Sequence, residues 1–247
     1  MPSFSSTPFI GQDFFSESTI NEEGIKLGAL AFDAFGNRYR YSKAGGSNLV
    51  TADLCQEPAE DAQFASMTTT AHAIGSTAIA VTNGTTTVTA GMFNGGRLTI
   101  ASSTGIGQSF YILSHTTGTS GASITYTIDR PLKIALDTNS KVTVRKNPHN
   151  GVIINPATTS TGGPVGFTLL ALTAAYFGWL QSGGDTAVRF DTGANTANDL
   201  LGIEPSLAVA GNVKVSAGTS GDAYIGYAIS QVASVDSEVS LARIIID

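Results

Sequence analysis

From Met67 to Ile154 the chain is cut by turn signals roughly every 8–12 residues, and the stretches between them alternate apolar and polar side chains. "STAIAVT", "GGRLTIASS", "QSFYILSHT" and "ASITYTIDRP" are all of this kind. Such spacing leaves little room for a helix of ordinary length and specifies a sandwich or barrel of short strands. Composition supports this. Charged residues make up only 13% of the 247 positions, against roughly 25% in a typical soluble domain. Thr, Ser, Gly and Ala take their place, and Thr suits a pleated, half-buried surface while Gly opens turns. The expected fold is an all-β, short-stranded sandwich or barrel body.

Local signals divide the chain further. "IKLGALAFDAFGNRYRYSKA" reads as a hairpin, with Leu27–Phe32 and Arg38–Lys43 as strands and Gly36-Asn37 in the turn. Its period of two puts Tyr39 and Tyr41 on one face and Arg38 and Arg40 on the other. "LVTADLCQ" is a further short strand, with Cys55 a small buried residue. Asn83-Gly84 is read as a hairpin turn, Gly105/Gly107 as another, and "DTNS" as the tip of a third. "NPATTSTGGP" (155–164) is the candidate linker. "TLLALTAA" after it has helical propensity, but "YFGWLQSGGDTAVRF" argues for strands with "SGGD" as the turn. The terminal apolar "EVSLARIIID" is expected to pair inside a sheet. The expected organisation is an extended N-terminal arm (1–24), a β-rich region (25–154), the linker (155–164) and a second β-rich region (165–247).

The arm has Pro2 and Pro8 against helix, yet it carries Phe4, Phe9, Ile10, Phe14 and Phe15. Aromatics are scarce in segments that stay unstructured. These side chains therefore need a burial site, either on the chain's own body or on a neighbouring subunit.

A search for chemistry finds little. His72, His115 and His149 are far apart and form no HxH or HExxH pattern, so no metal site is expected. The single cysteine forms no intramolecular disulfide. "GTSG" lacks the spacing of a nucleophile elbow, and "GIGQSF" lacks the third glycine of a dinucleotide fingerprint. Asp129, Asp137, Asp185, Asp191, Asp222 and Asp236 are the candidates for paired acid/base groups, but most fall at expected turns, where Asp caps backbone N–H groups. "DTGANTAND" shares Asp-Thr-Gly with aspartic proteases and is read as a turn. A net charge of −6 argues against a general nucleic-acid binder. No apolar run reaches the ~18 residues of a membrane span. Neither enzyme activity nor a cofactor is expected, and the basic cluster Arg38, Arg40 and Lys43 is read as a contact surface.

"DAFGNRYRYSKAGGSNLVTADLCQ" resembles a segment near the N-terminus of tailed-bacteriophage virion proteins. "FNGGRLTIASSTGIGQSFYILSH", "SKVTVRKNPHNGVII" and "YFGWLQSGGDTAVRF" are similar in type, and "AYIGYAIS" with "EVSLARIIID" resembles the last strands of capsid decoration, or cement, proteins. The resemblance implies a β-tulip-like body, assembly as a homotrimer, and attachment to the major capsid protein on the outside of the virion shell. It implies contacts through the arm aromatics Phe4, Phe9, Phe14 and Phe15. Arg38, Tyr39, Arg40 and Tyr41 are the other expected anchors, since Tyr and Arg are enriched at hot spots. A tail, fibre or head–tail component, or a glycan-binding or glycan-degrading spike, are the alternatives. Trp179, the only tryptophan, lies in an apolar strand and weakens the glycan reading.

Overall fold

A computed structural model describes residues 13–22, 24–191, 202–216, 224–230 and 238–246. The described residues are all-β, and their helical content is a single 3-10 turn at Ala62–Phe64. They form two compact units, residues 1–58 with 148–247, and residues 59–147. This differs from the division expected from sequence. The second unit is inserted into the first, and no change of composition marks its ends; Pro58 and Pro148 flank the two crossings.

The inserted unit is a six-stranded antiparallel sheet. Its order is Met67–Thr68, Lys141–Arg145, Arg97–Ser102, Ser109–His115, Ser123–Ile128 and Ala78–Thr82. An antiparallel bridge between Thr69 and Val81 brings the last strand back to the first and closes a barrel. Alternation does the folding here. Leu98, Ile100, Ile112, Ile124, Tyr126 and Val142 point inward around Phe93, while Thr, Ser and Ala fill most outward positions. The strand pair across Gly105/Gly107 forms as expected. Asn83-Gly84 does not close a hairpin, because Ala78–Thr82 pairs instead with Ser123–Ile128. "DTNS" is a turn, with Asp137 accepting the N–H groups of Asn139 and Ser140 at 2.8 and 2.9 Å. Its following strand pairs with Arg97–Ser102 rather than with residues just before the turn.

The larger unit is organised by one long strand, Phe177–Arg189. Its first half closes a ring with Pro164–Thr168, Leu54–Gln56, Asn150–Ile154 and Arg38–Ala44. Its second half continues through Val239–Ile245, Gly226–Ala228, Gly202–Pro205 and Val213–Val215. A Phe190–Val213 bridge returns that path to the long strand. The handover occurs at Gly183, which pairs with both Arg38 and Ile245. "SGGD" is thus an irregularity inside a continuous strand, not a turn. Gly184 sits at φ +92°, where an L side chain is strained, and an added Cβ would run into Asn37 Oδ1.

The "TLLALTAA" segment is not helical; its first residue, Thr168, ends the strand Pro164–Thr168. Nor is 155–164 a linker between domains. It lies within the larger unit, where Gln56 donates to Thr161 Oγ1 at 2.7 Å and Glu57 accepts the Gly163 N–H at 2.9 Å. The hairpin of Leu30–Phe32 and Arg38–Ala44 is as expected, and the terminal strand is paired on both sides.

Candidate functional site

The segment that begins at Asp13 is bound to the chain's own body. Glu17–Ser18 adds two residues antiparallel to Phe177–Gly178. Glu17 accepts from the Thr173 N–H at 2.7 Å and the Thr173 hydroxyl at 3.0 Å. Phe14 is buried against Tyr39 and Trp179, at ring centroid distances of 4.0 and 5.4 Å. Tyr41 packs on Trp179 at 5.1 Å, and its hydroxyl accepts the Glu22 N–H at 3.0 Å. Period-two alternation in Arg38–Ala44 places these tyrosines on the covered face.

This corrects part of the expected contact set. Phe14, Tyr39 and Tyr41 are core residues of one unit together with Ile25, Ala31 and Trp179. Their apolar area is already spent on the fold, so they do not offer it to a partner. Arg40 donates from Nη1 to the Gly28 carbonyl at 2.9 Å, tying the strand to the covering segment. Arg38 lies over Gly183, in space that a side chain there would fill. Phe15 is exposed. Phe4 and Phe9 lie outside the described residues.

The hairpin turn is rigidly tied. Asp33 accepts from the N–H groups of Phe35 and Asn37, from Asn37 Nδ2 and from the Tyr39 hydroxyl, at 2.7 to 3.0 Å. Those hydrogen bonds outweigh its partial burial and hold its carboxyl below the usual range. Burial, with the nearby Asp33, pushes the Tyr39 phenol up to about 12. At the tip of this turn Phe35 is 92% exposed.

The four described candidate acids are engaged in the fold. Asp129 accepts the Tyr111 N–H, Asp137 caps its turn, Asp185 pairs with Arg243, and Asp191 accepts from Ser206 Oγ at 2.6 Å. Asp222 and Asp236 lie outside the described residues. Sequence reading missed Asp53, a buried carboxylate 3.3 Å from Arg189 Nε. Burial raises it to about 6, with Arg189 acting in the opposite direction; no local motif announces it. The histidines serve the backbone and its loops: His72 and His115 accept N–H groups of Ala80 and Phe93 through Nε2, and His149 Nδ1 meets Ser42 Oγ at 2.9 Å. Among the described residues no group of three or more His, Cys, Asp or Glu side chains is placed to hold a metal ion. No described helix is long and apolar enough to cross a membrane.

What the larger unit exposes is a sheet face. The terminal strand Val239–Ile245 buries Ser240, Ala242 and Ile244 and exposes Val239, Leu241, Arg243 and Ile245. Register places Ala187 beside Leu241, Asp185 beside Arg243, and Arg38 and Gly183 in one row with Ile245. Arg243 binds Asp185 through both Nε and Nη2, at 2.5 and 2.8 Å. No protein-family model, curated protein or solved structure matches this chain.

Proposed function

We propose that the chain is a structural virion protein of a tailed bacteriophage, which binds the outer surface of the capsid and stabilises the expanded shell. The observation that carries this reading is the contrast within the larger unit. Its carboxylates at Asp33, Asp53, Asp185 and Asp191 are tied to neighbouring groups, while a strand face bearing Val239, Leu241 and Ile245 stands exposed. That is the build of a protein that works by contact. A cement protein needs no reaction, only a closed β-body and surface to bury, and binding only the expanded shell stabilises it by mass action. The resemblance of the strand and turn segments to phage decoration proteins supplies the partner class.

The first test is copy number in purified particles, by quantitative mass spectrometry against the major shell protein. A number comparable with that of the shell subunit, or a simple fraction of it, is expected. A few copies per particle would place the chain at the tail or a vertex and overturn the reading. The arm is tested by removing residues 1–12 only, since Phe14 belongs to the fold. Loss of shell attachment is expected if Phe4 and Phe9 make the contact.

A further inference from the structure

We propose that the inserted barrel is a binding module for an acidic polysaccharide, held on the outward face of strands Lys141–Arg145, Arg97–Ser102 and Ser109–His115. This goes beyond the shell reading and does not rest on it. Its starting point is a separation of charge. Residues 59–147 carry six Lys and Arg against four Asp and Glu, a net +2, while the rest of the chain carries seven against fifteen, a net −8. Opposite signs in two parts of one chain point to an anionic partner for the basic part. The four barrel carboxylates are already engaged. Glu60 pairs with Arg145 and Asp129 with Arg130, while Asp61 and Asp137 accept from the Thr86 and Thr104 hydroxyls, both at 2.6 Å. Among the described residues, Arg97, Lys133 and Lys141 carry no ion pair.

Register gathers the groups into two rows. Arg97 is directly opposite Arg145 on one side and Tyr111 on the other, and all three are exposed. Like charges directly opposite destabilise a sheet, and Glu60 offsets only one of the two. The Arg97 guanidinium lies over the Tyr111 ring, 4.2 Å from its centroid, so its fork is held before any ligand arrives. Such a planar fork takes a carboxylate through two parallel hydrogen bonds. The next outward row is Thr143, Thr99 and Ser109, all half-buried, about 7 Å further along the strands. Thr99 Oγ1 and Ser109 Oγ are 3.1 Å apart, so one hydroxyl proton joins them and the other is left to donate.

The rows select the occupant. Protein interfaces are depleted in Ser and centred on apolar and aromatic groups, whereas hydroxyls stand beside the cations here. Stacking of bases needs a free aromatic face, and Arg97 already lies on the Tyr111 ring. Duplex DNA gathers many phosphate contacts, which Glu60 and Asp129 oppose. A polymer of uronic acids brings carboxylates to Arg97 and hydroxyls to the Thr99 and Ser109 row. Trp179 plays no part, being buried in the other unit.

Isothermal titration calorimetry of the full chain with oligomers of galacturonate and of alginate, at low ionic strength, tests this. Saturable binding to at least one is expected, weakening as salt is raised, with none to a neutral dextran oligomer of the same length. Arg97→Gln should weaken it about tenfold or more. Tyr111→Ala should weaken it by a smaller factor, because it releases the guanidinium. Arg243→Gln, in the larger unit, should bind like wild type. Thr99→Val, also expected to weaken binding, reads the same face if Arg97→Gln fails to fold. Absence of binding to both acidic oligomers, equal binding of dextran, or variants of this face that bind like wild type overturns the proposal. So does tighter binding of polyuridylate, which would assign the face to nucleic acid. No particle enters this experiment, so failure of the shell reading appears separately, in the copy number.

Discussion

Phe14 stacks on Tyr39 with ring centroids 4.0 Å apart and planes 11° from parallel. A residue before the first body strand is therefore part of the body's core. Phe14→Ala should cost about 3–5 kcal/mol, the range for emptying a buried aromatic site. Urea unfolding of the full chain measures it.

Asp53 sets a pH dependence. Its pKa is raised from 3.8 to about 6 in the fold. The folded state thus holds a proton that the unfolded chain releases, and stability falls as pH rises through that window. The loss should approach about 2–3 kcal/mol between pH 4 and 7. Asp33 and Asp185 act in the opposite sense: their lowered pKa values contribute stability that is lost as pH drops below 3.8. Asp53→Asn should flatten the upper window and leave the lower one. Unfolding curves at pH 4, 5, 6 and 7 check this.

Gly184 stands at the handover of the long strand. Gly184→Ala should cost more than about 2 kcal/mol, because it combines a strained positive φ with a clash against Asn37. Gly36, also at positive φ but with open space around it, should tolerate Ala at about 1 kcal/mol. Thermal melts of the two variants compare them directly.

Cys55 is fully buried, and burial pushes its thiol far above the ordinary range. It should not react with an aromatic disulfide reagent in the native protein. The labelling rate should rise only with denaturant, in step with unfolding. Prompt labelling in buffer would mean that the ring around Leu54–Gln56 opens locally.

Local chemistry was legible in the sequence wherever one signal had one meaning. The 30–44 hairpin has a Gly-Asn turn between alternating strands, and it forms as expected. Gly183-Gly184 was misread because a glycine pair serves a bulge as well as a turn, and only the partners on either side decide between them. The polar 155–164 segment resembles a linker until its groups are seen bonded to Gln56 and Glu57, residues about a hundred positions earlier. The inserted unit was invisible for a similar reason: both units are built of the same Thr- and Gly-rich strands. Of the expected contact residues, Tyr39 and Tyr41 were correctly placed on one face, but sequence alone did not say that Phe14 and Trp179 cover it. The terminal "VSLARII" pairs inside the sheet as its apolar character predicts, but apolar residues at both parities do not say which face is buried.

The strands Leu54–Gln56 and Asn150–Ile154 are antiparallel neighbours, with Gln56 opposite Ile153 and Cys55 opposite Ile154. Topologically they are the two arms of one hairpin whose turn has been replaced by a closed barrel. Chain exit and re-entry therefore sit side by side in the larger unit. The position is a natural cassette site. A two-residue turn should restore a continuous hairpin there, and a foreign domain with adjacent termini should be carried there as cargo.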